Sequence, residues 1–401
     1  MQRPYNPLIV IILLSLSTTL MMTGHTMPYP VLAPWLIEQN ISMGMLGWVS
    51  FAFSLGNFLA APLAGQLVDR WGRKPMLIIG LSAIVVVNII IPFFESLLTI
   101  IVLRFVLGLF NAGIMPAALA AAADVAPLER RGAWIGYVTG GISIGLIIGP
   151  SMGGILYDAF GFAAPWWISA GFALVAVVMV VLYVPETRVQ SPVGEVDGAE
   201  GAHSLWHLLQ NPPRPLIVLV SLLWLDFAWT FAWVATEPAA LAYLYGNYAY
   251  TATMFGVVVG VWGLATAVGE IGLGGLSDRF GRFSMMTIGL VLHSAWYVGM
   301  MVSPQFTPMI AMAVLSGLGA GFITPALGAA YADITTPDQR GRVASLKEMI
   351  ISIGGMSGPL FSVFATDAIP TVPMFAGTVV ILLASAGWMG WLWRRRVLQV
   401  N

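Results

Sequence analysis

Apolar stretches of twenty to thirty residues alternate with short polar breaks along almost the whole 401-residue chain. A bilayer core takes about 20 apolar residues per helix. On that measure the pattern predicts twelve spans, near 7–37, 43–68, 75–94, 97–123, 132–158, 163–184, 215–243, 252–277, 284–303, 305–331, 340–366 and 370–393. Strands of a transmembrane β-barrel would read as ~10-residue segments of alternating polarity, which is not the pattern here. The expected fold class is an all-α polytopic membrane protein. The first apolar run is longer than a signal-peptide core and lacks a small-residue cleavage site, so it is expected as a retained first span.

The polar breaks sort by charge. Arg3, the Arg70/Arg73/Lys74 group, Arg130/Arg131, Arg188, Arg214, Arg279/Arg282, Arg340/Arg342 and Arg394 to Arg396 fall on one side, while the opposite loops hold Glu38, Glu95, Asp158 and Asp367. The positive-inside rule then puts both termini in the cytoplasm of a multi-pass protein of the cell membrane, the inner one in a Gram-negative cell. The longest hydrophilic stretch, rich in Gly, Pro, Ser and acids, divides the spans six and six. The expected domains are 1–184 and 215–401, joined by a flexible cytoplasmic linker over 185–214. His203 and His207 stand at i,i+4 on a short surface helix expected near His203–Gln210, without a further ligand, so no metal is expected.

Composition narrows the classes. A soluble chain of this length would charge roughly a quarter of its residues, and here 9% are charged and 58% hydrophobic. The balance of 17 basic and 18 acidic residues excludes a nucleic-acid binder. Absence of cysteine excludes disulfide scaffolds, thiol nucleophiles and Cys-ligated metals. No phosphate-binding loop and no Ser–His–Asp or metal-ligand constellation is legible, so neither enzyme nor bound cofactor is expected.

An internal repeat sets the architecture. Gly65 to Arg73, with Asp69, Arg70 and Arg73, recurs 209 residues later as Gly274 to Arg282, with Asp278, Arg279 and Arg282. The same displacement carries Gly108 to Gly317, Pro116 to Pro325, Asp124 to Asp333 and Arg131 to Arg340, then Gly145, Gly149 and Pro150 to Gly354, Gly358 and Pro359. Two six-helix halves of one topology imply an axis along the membrane normal, as in rocker-type secondary transporters with a midplane site.

On these residues the chain resembles the major facilitator superfamily over essentially its whole length. Gly65 to Arg73 resembles that family's signature between helices 2 and 3, Pro185-Glu186-Thr187-Arg188 its motif after helix 6, and Arg104 with Gly108 its helix-4 motif. Gly145 to Gly154, including Gly149, Pro150 and Gly153, resembles the helix-5 motif of the 12-helix drug:proton antiporter branch. Where that branch often has an Asp in helix 1, this chain reads Met21-Met22-Thr23. The resemblance implies two pseudo-symmetric six-helix bundles and a monomer. It also implies that Asp69, Arg70 and Arg73, with the copy Asp278, Arg279 and Arg282, latch the halves in one state, a two-state element of the kind rocking requires. Asp124, Arg131, Asp333 and Arg340 are expected as second partners of that network. The glycine and proline run of helix 5 and its copy suits close helix packing.

Ionisable groups inside spans are the best pointers to chemistry, since each is costly unless paired or hydrated. Asp226, Trp229, Trp233 and Glu237 share one stripe of span 7. Asp226 stands ~16 Å into that span at 1.5 Å per residue, near the midplane. A carboxyl there can exchange a proton, and a lipophilic cation can stack on the indoles. Glu270, in span 8, is expected as a second proton site or a partner of Lys347. His25, one turn before Tyr29, is the side-chain type that switches charge nearest neutrality. Arg104, with Asn111 on its stripe, would tune nearby acids or meet an anionic group; Asn57, Asn88 and Asn111 are expected either to join helices or to line the cavity, Asn57 and Asn111 being the better cavity candidates. The proton-coupling set is thus Asp226, Glu270, Glu237, His25 and Arg104, and the cavity set Asn57, Asn111, Trp229, Trp233 and Tyr29. The expected activity is proton-coupled antiport of hydrophobic or cationic small molecules across the bilayer. The alternative is a proton- or ion-coupled symporter or importer of a small organic solute, an anionic one if it is centred on Arg104.

Overall fold

The computed structural model describes residues 6–94, 96–127, 130–187, 212–273, 276–336 and 339–395, with the backbone alone at 131, 132, 273, 340 and 341. Arg3, Glu95, Arg188, His203, His207, Gly274 and Arg396 lie outside the described residues, as do most of the linker and the side chains of Arg131 and Arg340.

Among the described residues twelve helices are long and apolar enough to cross a membrane: α1 Pro7–Thr26, α2 Met45–Trp71, α3 Arg73–Phe93, α4 Leu97–Val125, α5 Ala133–Phe160, α6 Ala163–Tyr183, α7 Leu216–Tyr248, α8 Ala252–Gly272, α9 Arg282–Val302, α10 Phe306–Ile334, α11 Arg342–Ala368 and α12 Thr371–Arg394. The protein is therefore a multi-pass membrane protein. The 209-residue displacement seen in the motifs also governs the helices. It carries the ends of α3 onto those of α9, and the ends of α4 onto those of α10, to the residue.

The first span is shorter than expected. α1 stops at Thr26 and the chain turns before a separate short helix, Leu32–Glu38. Pro28 and Pro30 fall in that turn, where neither can donate the backbone N–H a continuing helix needs. Span 7 runs the other way, five residues past its expected end, and closes on Ala249 in the left-handed region. Many large apolar side chains, such as Leu63, Val220 and Val380, are left exposed on the helices, as a lipid-facing surface requires.

Two compact units divide the chain. The first holds α1, α3 to α6, most of α2 and the stretch Tyr250–Gly260 at the start of α8; the second holds α7, α9 to α12, the rest of α8 and Ser42–Gly47 at the start of α2. Within the first, α5 lies on α1 along a glycine stripe. A Cβ at Gly145 would stand 2.7 Å from Thr23 N, one at Gly149 2.6 Å from Thr23 O, and one at Gly153 would run into Met27 O. Real Cβ atoms do not approach backbone so closely, so only glycine lets these helices meet. In the second unit α11 lies on α7 with more room. A Cβ at Gly354 would stand 3.2 Å from Phe227 O, and one at Gly358 3.1 Å from Phe231 O, although it would run into the Val234 side chain. Pro150 and Pro359 sit inside continuous helices.

Candidate functional site

The turn between α2 and α3 needs a glycine. Gly72 has φ +105° and its copy Gly281 φ +93°, a region that other residues rarely adopt. Each turn aims an arginine into a carboxylate pair. Arg73 binds Asp69 at 3.3 Å and Asp124 at 3.1 Å; Arg282 binds Asp278 and, at 3.0 Å, Asp333. Even the third contact repeats, because Arg73 donates to the carbonyl of Val68 and Arg282 to the hydroxyl of Ser277, 209 residues on. Each of these four ion pairs joins residues of one six-helix half. Asp69 and Asp278 are largely exposed, whereas Asp124 and Asp333 are not, so the inner pairs are the better shielded from water and salt. The first half adds a cap for which the second has Arg395 at the matching position. Glu186 accepts from the backbone N–H of both Arg73 and Lys74 at the start of α3, and Thr187 donates to Asp124.

At the opposite helix ends the repeat places two more acids. Asp158, in the last turn of α5, accepts from the N–H groups of Ala252 and Thr253, which open α8. Its copy Asp367, in the last turn of α11, accepts from the Ser42 hydroxyl just before α2. Beside them Gly256 lies against the carbonyl of Pro150, and its copy Gly47 against that of Pro359.

The buried chemistry departs from the repeat. In the second unit Asp226, 6% exposed on α7, accepts a 2.6 Å hydrogen bond from the Tyr331 hydroxyl of α10. Lys347 of α11 stands over the Tyr331 ring, 5.7 Å from its centroid. An acid, a phenol and an ammonium from three helices thus form one stack, which offsets part of the cost of burying charge. One to two turns along α7, Trp229 packs on His293 of α9 at 5.0 Å, and Trp233 stacks on Trp262 at 5.4 Å and meets Trp296 at 5.7 Å. A hydrogen-bonded line fixes this cluster. The Trp262 indole donates to Ser316, whose hydroxyl lies 3.0 Å from His293 Nδ1. Glu270 lies beside Thr324 of α10, and Lys347 makes its ring contact with Tyr331.

In the first unit His25 lies on Phe53 with ring centroids 5.0 Å apart, and Arg104 stands over the fully buried Trp166 ring at 5.2 Å, within electrostatic reach of His25. Tyr29 stacks on Phe255 at 5.8 Å. Asn88 donates to Ser169, which donates to the carbonyl of Gly24, so Asn88 ties α3, α6 and α1 together. Asn57 and Asn111 are partly exposed. Glu237 is partly exposed in α7, one turn beyond Trp233.

Sequence reasoning missed Tyr331, Trp262, Trp296 and Ser316, and did not bring His293 to this site. One signal was available. Under the 209-residue displacement Asp226, Tyr331, Lys347 and His293 correspond to Ser17, Ala122, Val138 and Ile84, and Arg104 corresponds to Ala313. Polarity that breaks an otherwise faithful repeat marks the chemistry.

Comparison with known proteins agrees with the helix plan and the repeat. The family model described as Major Facilitator Superfamily matches residues 14–237 and again 227–401. The chain is similar to the "Multidrug resistance protein MdtG" of Serratia proteamaculans (strain 568), 28% identical over 397 residues, 98% of this chain and 89% of that one. It is similar also to the "Multidrug resistance protein 1" of Bacillus subtilis (strain 168), 23% identical over 369 residues and 92% of each chain. Among solved structures, the inward-facing, unoccupied bacterial homolog of the human lysosomal transporter Spinster superposes with a TM-score of 0.77 at 17% identity, covering 98% of both chains. With the matching model spanning both halves of the repeat, the chain belongs to the Major Facilitator Superfamily of membrane transporters.

Proposed function

We propose that this transporter exports hydrophobic or cationic small molecules by antiport against protons, with both termini in the cytoplasm. The observation that carries the reading is the Asp226 carboxylate, buried within a span, held by Tyr331 and opening the Trp229/Trp233 stripe. A carboxylate there has two uses. It binds a proton, or it attracts a cation whose apolar body lies on the indoles. Because one carboxylate serves either partner, proton and substrate each weaken the other's binding, and that antagonism couples the two fluxes. Lys347, over the ring of Tyr331, supplies a positive charge when Asp226 is neutralised neither by proton nor by substrate. The multidrug-resistance names of the similar proteins support the export direction.

The experiment is efflux of a fluorescent lipophilic cation from drug-sensitised cells at matched protein levels, with a proton uncoupler in parallel. Wild type is expected to show uncoupler-sensitive efflux and Asp226→Asn to lose it. Efflux that survives Asp226→Asn overturns the assignment of the proton to Asp226 and moves it to Glu270, Glu237 or His25. A wild type without any efflux overturns the exporter itself, and binding of anionic solutes at Arg104 is then the next measurement.

A further inference from the structure

A groove of about 580 Å³ runs along the lipid-facing side of α7 and α12, walled by Leu216, Ile217, Val220, Trp224 and Trp388. Its floor is fixed by two reciprocal hydrogen bonds between the helices. Trp224 of α7 donates to Ser385 of α12 at 3.2 Å, and Trp388 of α12 donates to Ser221 of α7 at 2.8 Å. Both indoles have thereby satisfied their N–H groups and offer only apolar surface, and each remains more than 40% exposed. Leu216 to Trp224 spans eight residues, ~12 Å along the helix, which is most of one ~15 Å leaflet of hydrocarbon.

Two cations mark the mouth. Arg214 is exposed two residues before Leu216. From the other wall Trp388 stacks on Trp391 at 5.0 Å, and Arg395 stands over Trp391 at 5.5 Å. The ring stack thus leads from the groove to an arginine at the helix end. The apolar wall suits an acyl chain, and an arginine at this end of each of the two helices suits an anionic headgroup. A lipophilic cation entering by this route would meet like charge.

The repeat provides an internal control. The positions of Trp224 and Trp388 hold Ser15 and Met179 in the first half, and those of Trp391 and Arg395 hold Leu182 and Glu186. Neither the indole pair nor the cation recurs, and Glu186 is spent on the start of α3. The residues that build this groove are therefore not repeated in the first half.

We infer that the α7–α12 groove is a binding site for an anionic phospholipid, its acyl chain along Trp224 and Trp388 and its phosphate between Arg214 and Arg395. The site is separate from Asp226, and its test reads lipid binding rather than transport. It does use the orientation that places these arginines at the inner leaflet. The full chain is reconstituted in vesicles carrying brominated phosphatidylglycerol or, at equal mole fraction, brominated phosphatidylcholine, and quenching of tryptophan fluorescence is measured. The component that disappears in W224F/W388F is the groove signal. In wild type the phosphatidylglycerol is expected to quench that component at about thirtyfold lower mole fraction, the factor that two nearby basic residues supply at about 1 kcal/mol each. R214Q/R395Q is expected to bring the two lipids to parity with an unchanged melting temperature. Parity in wild type overturns the site, and so does selectivity that persists in R214Q/R395Q. Should that double variant fail to insert, R395Q alone and wild type in raised salt read the same charge dependence, and selectivity indifferent to both overturns the proposal.

Discussion

Asp226 in α7 stands where α1 has Ser17, and Arg104 in α4 stands where α10 has Ala313. The turns at Gly72 and Gly281, by contrast, repeat down to the third hydrogen bond of their arginines. The two halves therefore agree at the turns that place these helices and disagree where a charge is buried inside a span. Each helix has to meet its neighbours at fixed distances, which leaves little freedom at the glycines and the turn arginines. A buried ionisable group needs only one partner network, so a single copy suffices and the other half can fill that place with alanine or valine.

The largest expected effect falls on a position without a counterpart. Asp226→Asn should lower uncoupler-sensitive efflux more than tenfold, while Ser17→Asn, its counterpart in the first half, should leave efflux within twofold. Equal losses in a transport assay would break the contrast. Next come the stripes of close contact. Gly149→Ala puts a Cβ against the Thr23 carbonyl and should destabilise the protein by about 1–3 kcal/mol. Gly354→Ala meets its neighbours at 3.2 Å or more. There the gain in helix propensity, ~1 kcal/mol, offsets the crowding. Thermal melts in detergent that rank the two alike would show that the halves pack equally tightly after all.

Tyr331→Phe removes one hydrogen bond to a buried carboxylate, an interaction of about 1.5–3 kcal/mol. Efflux under a fixed pH gradient should fall roughly tenfold with the fold intact; an unchanged rate would make Tyr331 a packing residue only. Glu186→Gln weakens the cap on α3 and should cost about 1 kcal/mol. Arg395→Gln, at the matching position, should leave the start of α9 as it was, which hydrogen exchange at the two helix starts can read. The smallest expected stability effect is that of Asp69→Asn. Its exposed pair with Arg73 is worth about 0.2–1 kcal/mol. Transport that falls while the melt is unchanged would sharpen the view of Asp69 as part of a moving latch, and a wild-type rate would end it.

Much of the fold was legible because both of its signals are one-dimensional. Apolar length gives the spans, and the 209-residue displacement gives their pairing. What length could not give is where a helix stops inside an apolar run, as at Pro28 and Pro30, where the missing N–H groups outweigh hydropathy. The site was legible in part. Asp226, Trp229 and Trp233 share a stripe on one helix, and periodicity finds such sets. Tyr331, Trp262 and His293 come from three other helices, and single-helix periodicity carries no information on which faces meet. The repeat does carry some, since these residues are where it fails, and Asp158 with Asp367 shows the converse. Read from sequence as loop acids that mark orientation, they prove to be matched contacts at the same two helix starts.

Those helix starts have a bearing on engineering. Tyr250–Gly260 belongs with the first compact unit and Ser42–Gly47 with the second, although each lies in the other half of the sequence. A hybrid transporter made by joining one half of this chain to the complementary half of a relative would thus sever more than a linker. It would pair Asp158 with a foreign helix start and leave Asp367 facing another. Hybrids that carry these two short stretches across with their contact partners, rather than with their neighbours in sequence, are the ones that should insert and remain stable.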